Sequence, residues 1–188
     1  MTSDQQRPPA EVELVPDDGL ARALSKELSG GDINIQALRQ LRNLDASQQN
    51  ISSLAGLENC TNLEGLSLEA NNVTDVAPIA ALVRLELLSL NINPIANMTA
   101  IGTLPELRQL FIGKTNVNSL KFVTMLPRLE LLSFVYSQVT SLIDLYFYVV
   151  QTKENQRLQQ ILAFGNNLDV ASFAFAEALR NQGIEVRI

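Results

Sequence analysis

One apolar pattern recurs along most of the chain and constrains its fold more than any other feature. The pattern is LxxLxLxxNxL, in which Ile, Val, Ala or Phe replaces some of the leucines. Its six copies begin at Leu41, Leu63, Leu85, Leu107, Leu129 and Leu158. The first five starts are 22 residues apart, whereas the last step is 29 and carries a seven-residue insertion. Because one unit cannot bury both of its apolar edges, the copies are expected to stack into a solenoid.

Each copy predicts a strand followed by a tight helical turn. The LxL core alternates apolar and polar residues, which is typical of a short strand. In the second half of the unit apolar residues fall three apart, as do Val76, Ile79 and Leu82, and this spacing indicates a tight helix with one buried edge. Parallel strands about 4.8 Å apart would give a six-stranded concave sheet roughly 24 Å across.

The asparagine of the pattern predicts a ladder of internal hydrogen bonds. An inward-facing Asn bonds backbone groups of its own turn and of the neighbouring repeat. From the first copy to the last, the position is filled by Gln49, Asn71, Asn93, Thr115, Ser137 and Asn166. Hydroxyl side chains are shorter than Asn, so we expect the ladder to be weakest at the fourth and fifth repeats.

The segments on either side of the repeats are predicted to cap the solenoid. Leucines recur every four residues from Leu20 to Leu28, after an aspartate pair that suits a helix start and before a Gly–Gly stop. At the other end Asp169 can start a helix, and residues 184–188 alternate like a closing strand. The apolar residues of that helix available for burial are Phe173, Phe175 and Leu179.

These features predict one domain preceded by an arm. Residues 1–15 are expected to be a flexible or loosely attached N-terminal arm. Residues 16–188 form the domain, with an N-terminal cap at 16–40, six repeats at 41–168 and a helix–strand cap at 169–188. The insertion, near 141–157, is expected to form a longer helix on the convex side with its apolar residues in the core.

The repeat resembles the 22-residue leucine-rich-repeat class of bacterial internalins and eukaryotic phosphatase-regulatory subunits, from about Asp17 to Leu168. The stretch Asn71–Asp75–Pro78–Ile79 looks like the internalin NxxxDxxPL turn, and PDDGLARALSKELSGG looks like its helical cap. The resemblance implies an α/β fold: a right-handed leucine-rich-repeat solenoid with a concave parallel sheet and short convex helices. It also implies a bacterial source and a protein-binding role, with a phosphatase-regulatory subunit or a secreted effector as less favoured forms of that role.

Charge argues against nucleic acid and membranes as partners. The net charge is −6, and the 14 basic residues are dispersed, whereas phosphate binding needs clustered Lys and Arg. The longest strongly apolar run, Leu142–Val150, is too short to span a bilayer and contains Asp144. The N-terminal sequence has no basic start followed by an apolar run, so we expect a cytoplasmic protein, although export by another signal stays an alternative.

The residue inventory disfavours catalysis. The chain has no histidine, which removes Ser–His–Asp triads, Cys–His dyads and HExxH zinc sites. A single cysteine, Cys60, allows no internal disulfide and is best interpreted as a small buried hydrophobe. The sequence therefore predicts no cofactor, no metal site and no enzymatic activity.

A candidate binding surface lies on the concave side of the later repeats. Residues between the core leucines point onto this face, where large apolar side chains gain nothing from the core. Together with one base at the rim, the candidates are Leu87, Ile92, Phe111, Lys114, Leu131, Val135, Tyr136, Leu162 and Phe164. We expect an unknown protein partner to bury the aromatic members, which are typical of hot spots. Self-association into a homo-oligomer, or coverage by the N-terminal arm, would explain the same residues.

Overall fold

Seven short strands form one parallel sheet in which each strand pairs with its neighbours along the chain. The computed structural model describes residues 14–151 and 157–188. The strands are β1 (Asn43–Asp45), β2 (Gly65–Ser67), β3 (Leu87–Ser89), β4 (Gln109–Phe111), β5 (Leu131–Ser133), β6 (Gln160–Leu162) and β7 (Glu185–Arg187). Leu44 pairs with Leu66, and Leu66 with Leu88, so the register follows the 22-residue repeat. The predicted α/β solenoid is confirmed, and the C-terminal cap adds the seventh strand to the six of the repeats.

The core is a continuous layer between the sheet and the convex side. The middle residue of every strand is apolar and buried: Leu44, Leu66, Leu88, Leu110, Leu132, Ile161 and Val186. The residues that flank it point to the concave side, because alternate residues of a strand face opposite ways. Full burial of one Leu side chain contributes about 1.5–3 kcal/mol, so the stacked leucines dominate the stability of the fold.

Short 3₁₀ helices line the convex side. They span Leu57–Asn59, Ala77–Ala81, Thr99–Thr103 and Lys121–Met125. Ile79 N donates to Val76 O at 3.0 Å and Leu82 N donates to Ile79 O at 2.9 Å, which is the i to i+3 bonding that the three-residue spacing predicts. In the described part of the chain, no helix combines the length and the apolar character that crossing a membrane requires.

The asparagine ladder is well bonded at the second and third repeats, through Asn71 and Asn93, and sparser at the fourth and fifth. Asn71 Nδ2 donates to Ala46 O and Leu68 O, and its Oδ1 accepts from the backbone N–H groups of Gln49 and Ile51. The hydroxyls of Thr115 and Ser137 instead converge on a single carbonyl, Ile112 O, at 2.7 and 2.8 Å. Hydroxyls thus bridge fewer backbone groups than Asn71 does.

The N-terminal cap is held by one aspartate. Helix α1 (Asp18–Glu27) begins after Asp17, whose Oδ1 accepts from Gly19 N and Leu20 N and whose Oδ2 accepts from Ser52 N and Ser53 N. A short second helix, α2 (Ile35–Leu38), follows it. The predicted arm falls outside the described residues except for its last two. Val15 is only 3% exposed, so the cap begins at least that early.

The insertion and the C-terminal cap pack against each other. Helix α3 (Ile143–Tyr146) continues as a π-helical turn, Phe147–Gln151, and helix α4 is Val170–Arg180. Tyr146 stacks on Phe175 with ring centroids 4.8 Å apart. As expected, part of the insertion is core, because its buried residues include Leu142, Leu145, Tyr148 and Val149.

The expectation that Phe173 is buried is wrong. Its side chain is 59% exposed, and Phe147 of the insertion is also exposed. The buried face of α4 is formed by Ser172, Ala176 and Leu179. Ser172 Oγ accepts the Leu142 N–H at 3.0 Å, and this close approach places the next residue, Phe173, on the outer face.

Strand β7 is the last strand of the sheet, and its outer edge is capped. Glu185 N donates to Gln159 O, and Arg187 O accepts from Ala163 N, so the backbone groups of both residues face β6. The groups of Val186 between them therefore face outward. The Arg180 guanidinium donates to Val186 O from Nε at 3.2 Å and from Nη2 at 2.9 Å. A side chain of α4 thus occupies the outward-facing carbonyl.

Candidate partner-binding surface

All nine residues selected from the sequence lie outside the core. The exposed ones are Leu87, Ile92, Lys114, Tyr136 and Phe164. The half-buried ones are Phe111, Leu131, Val135 and Leu162. We refer to the eight apolar members, without Lys114, as the concave apolar patch. Large exposed apolar side chains here contrast with the first two repeats, whose concave positions carry polar or small residues such as Asn43, Asp45 and Gly65.

Tyr136 is the most exposed member of the concave apolar patch, yet it is held in place. Its side chain is 57% exposed. Its ring lies edge-on to the Phe164 ring, with centroids 5.8 Å apart. The same ring covers Gly165, where an added Cβ would lie 2.3 Å from Tyr136 Cδ1. The orientation of Tyr136 is therefore fixed by its neighbours before any partner binds.

The patch is interrupted by polar side chains. Phe111 and Leu162 each pair in register with Ser133, which lies between them and is buried although it is on the concave side. Leu87 is set apart, since it pairs in register with Gly65 and Gln109. It lines a separate groove of about 440 Å³ in the polar half. Leu131 is likewise flanked in register by polar residues, Gln109 and Gln160. The remaining members lie at the ends of the strands or just beyond them.

A row of left-handed backbone conformations runs along the end of the strands. In successive repeats the residue three after the strand has φ between 53° and 77°: Gln48, Ala70, Ile92, Lys114, Tyr136 and Gly165. This conformation lets the backbone N–H of the turn continue the hydrogen bonding of the sheet beyond the strands. Ile92 N, for example, donates to Gly113 O at 2.9 Å. The repeat pattern did not predict this row of left-handed conformations, because only the last of these positions is Gly.

Charged side chains pair across neighbouring repeats just before each strand. The residues at this position are Arg42, Glu64, Glu86, Arg108 and Glu130. Arg42 pairs with Glu64, and Arg108 Nη1 lies 2.6 Å from Glu130 Oε1. Exposed pairs of this kind contribute about 0–1 kcal/mol each. Sequence reasoning missed this row, although its 22-residue spacing was a visible signal.

The described residues offer little for catalysis or metal binding. They contain no group of three His, Cys, Asp or Glu side chains placed to hold a metal ion. Burial, with a smaller contribution from the negative charge of Glu58, raises the pKa of the Cys60 thiol to about 12. The buried thiol stays protonated at neutral pH and is a poor nucleophile. This agrees with its interpretation as a small hydrophobe in the core.

Comparisons with known proteins identify the fold. No protein-family model matches the sequence, and no curated protein matches it. Among solved structures, internalin C2 of Listeria monocytogenes is similar with a TM-score of 0.74 at 21% identity, over 93% of this chain and 88% of that one. A leucine-rich-repeat protein of Leptospira interrogans is similar with a TM-score of 0.58 at 19% identity, over 74% of this chain and 40% of that one. The chain therefore has an internalin-like leucine-rich-repeat solenoid fold.

Proposed function

We propose that the chain is a non-catalytic protein-binding module that docks a partner on the C-terminal half of its concave face. The observation that carries the proposal is the concave apolar patch, whose side chains are exposed or half-buried where they add nothing to the core. Large apolar side chains exposed together on one face of a folded protein are typical of interaction sites. Solenoids bind through their extended concave surfaces, which is consistent with this placement.

The anchor of the proposed site is the pair Tyr136 and Phe164. Tyrosine combines a large apolar ring with a hydroxyl, and it is enriched among residues that dominate binding energy. Because Phe164 and Gly165 already hold the ring, little conformational entropy is lost when a partner covers it. Phe111, Leu131 and Leu162 extend the apolar contact towards the middle of the sheet.

Self-association is the second candidate, because the same exposed side chains would drive pairing of two copies. The two candidates differ in the mass of the free protein. Light scattering over a range of concentrations gives the mass of a monomer if the concave apolar patch binds a different protein. It gives a dimer, lost on Tyr136→Glu, if the patch is a homodimer interface.

The binding proposal is tested with two charge-introducing variants. Wild type, Tyr136→Glu and Val83→Glu are immobilised and exposed to extracts of the source cells. Val83 is a matched control, because it is 50% exposed and lies beside the 3₁₀ helix Ala77–Ala81 rather than on the concave face. Circular dichroism verifies that all three fold alike. Captured proteins are then titrated individually against each variant.

The expected outcome is a protein that binds wild type and Val83→Glu but loses binding to Tyr136→Glu by tenfold or more. A partner that binds Tyr136→Glu normally would place the site elsewhere. The proposal of a non-catalytic module would be contradicted if the purified chain had an enzymatic activity that disappears when one polar concave residue is changed.

A further inference from the structure

A small notch interrupts the concave face above Gly113. It encloses about 130 Å³ and is lined by Glu69, Asn91, Ile92, Gly113, Lys114 and Val135. The neighbouring repeats carry Asn91 and Val135 at the position that Gly113 occupies in its own repeat. A Cβ on Gly113 would lie 2.8 Å from Val135 Cγ2 and 3.2 Å from Asn91 Oδ1. The glycine therefore keeps open a space that any other residue would close.

The notch has the size of one side chain. Pockets for small organic ligands measure roughly 300–1,000 Å³, well above this volume. Two β-branched side chains, Ile92 and Val135, form apolar walls. Asn91 Oδ1 accepts the Gly113 N–H at 2.7 Å, which fills one of its two acceptor positions. These walls suit an aliphatic side chain.

Ile92 occupies the notch wall in a conformation that its side chain disfavours. Its φ is +56°, in the left-handed region, where β-branched residues are outliers. The side chain is 42% exposed, so burial does not compensate for the strain. The same left-handed turn recurs in successive repeats, so the strain arises from a β-branched residue at this position of the turn. Asn or Gly would satisfy this backbone conformation better, and Ile92 instead presents an exposed apolar side chain at the notch.

Two opposite charges flank the notch without a partner in the described structure. Neither Glu69 nor Lys114 forms an ion pair among residues 14–151 and 157–188, whereas most charges in the row before the strands are paired. Glu69 follows β2 and Lys114 follows β4, so their backbones lie two strand spacings, or about 10 Å, apart. Unpaired charges at such a site select partners by complementary charge.

We propose that the notch receives one aliphatic side chain of an extended segment of the partner, with a basic residue of that segment paired to Glu69 and an acidic residue paired to Lys114. Extended chain rises about 3.3 Å per residue, and alternate residues face the same side. The basic, aliphatic and acidic residues therefore fall at positions i, i+2 and i+4, and the long side chains of Glu69 and Lys114 reach the two outer ones. The inference rests on the proposed function, because it specifies which partner segment meets the middle of the concave face.

The test is a selection from phage-displayed random peptides against the immobilised wild-type chain, followed by titration of enriched peptides. We expect a shared aliphatic residue midway between a basic and an acidic residue four positions apart, so that all three face the same side. Lys114→Glu should weaken these peptides at least roughly tenfold, because it brings like charges together. Exchanging the acidic residue of the peptide for Lys should restore binding to Lys114→Glu. Lys121→Glu, on the convex helix Lys121–Met125, is the control with the same charge change.

Ile92→Asn separates loss of binding from loss of folding. It relieves the backbone, so the variant folds at least as well as wild type while losing an apolar wall, and it should also weaken the peptides roughly tenfold. If enriched peptides depend on Tyr136 but bind Lys114→Glu and Ile92→Asn normally, the notch proposal is wrong and the proposed function stands. If enriched peptides bind Tyr136→Glu, Lys114→Glu and Ile92→Asn as tightly as wild type, both the notch proposal and the proposed function are wrong. A selection that enriches no such motif overturns the notch as a site for an extended segment.

Discussion

The ring of Tyr136 meets the ring of Phe164 edge to face, with the two planes at 89° and the centroids 5.8 Å apart. The residues belong to neighbouring repeats, and both sit just beyond the strands rather than in them. Such pairs contribute about 0.5–1.5 kcal/mol beyond the area they bury. An exposed tyrosine is thereby fixed in one orientation by a contact that the core does not require.

Substitution of Gly165 should release this tyrosine. Gly165→Ala combines a left-handed φ of 77° with a clash against the Tyr136 ring. Gly183→Ala is the matched control, because its φ is 86° but no atom lies within 4 Å of the added Cβ. We expect Gly183→Ala to lower the free energy of unfolding by about 1 kcal/mol, and Gly165→Ala by at least about 1 kcal/mol more. Urea titration measures both, and equal losses would contradict the packing of Tyr136 on Gly165.

Replacement of Ile92 should stabilise the fold. Ile92→Asn places a residue that tolerates the left-handed region at a φ of 56°, so the free energy of unfolding should rise by about 1 kcal/mol. Val83→Asn, at an exposed apolar residue whose φ is not positive, should change it by less than about 0.5 kcal/mol. Thermal or urea unfolding measures the free energy of unfolding of both variants. A lower value for Ile92→Asn than for wild type would show that the Ile92 side chain contributes to packing.

Loss of Asn71 should cost more than loss of Thr115. Asn71→Ala removes the side-chain acceptor of the Gln49 and Ile51 N–H groups and the side-chain donor to Ala46 O. Leu68 O also loses a donor but keeps the bond from Asn93 Nδ2. We expect a loss of about 3 kcal/mol in the free energy of unfolding, against about 1 kcal/mol for Thr115→Val, which removes one well-formed bond. Chemical denaturation of the two variants compares them directly. Similar losses would contradict a ladder that weakens along the solenoid.

The N-terminal cap should loosen in acid. Burial tends to raise the pKa of Asp17, but hydrogen bonds from Ser52, Ser53 and Leu20 together hold it below its ordinary value of 3.8. The folded state therefore favours the ionised carboxylate. Its stabilising contribution is complete above the unfolded pKa of about 3.9 and is lost as the pH falls through the lower folded pKa.

Asp17→Asn should flatten the pH dependence of the unfolding free energy below about pH 4. Asp18→Asn, at the adjacent exposed residue, is the control for the loss of one negative charge near the start of α1. Urea titrations at several acidic pH values measure the slope. An unchanged slope in Asp17→Asn would assign the acid sensitivity to other carboxylates.

The sequence was sufficient for the fold because the physical signal is periodic and local. Each leucine of the LxL core needs burial, and alternation alone assigns Phe111 or Leu131 to the concave side. The same reasoning failed for Phe173, since apolar character does not specify which face of α4 approaches the sheet. That choice is made by the small side chains of Ser172 and Ala176, which allow close packing.

Other features of the candidate site depend on relations between repeats. The notch exists because Gly113 stands where its neighbours carry Asn91 and Val135, and its shape is visible only when three strands lie side by side. The strain at Ile92 follows from the turn geometry common to the repeats, which the LxxLxLxxNxL pattern does not encode. Ranking by hydrophobicity could therefore select Ile92 but could not show that its backbone is strained.

The contact between Arg180 and Val186 has a consequence for how the molecule behaves at high concentration. A parallel sheet that ends in an open strand is a template for head-to-tail addition of further chains, which leads to fibres when the rotation does not close. The guanidinium takes the outward carbonyl that an incoming strand would need. Arg180 therefore removes one of the two outward-facing backbone groups of Val186 through which a further strand would bond to β7.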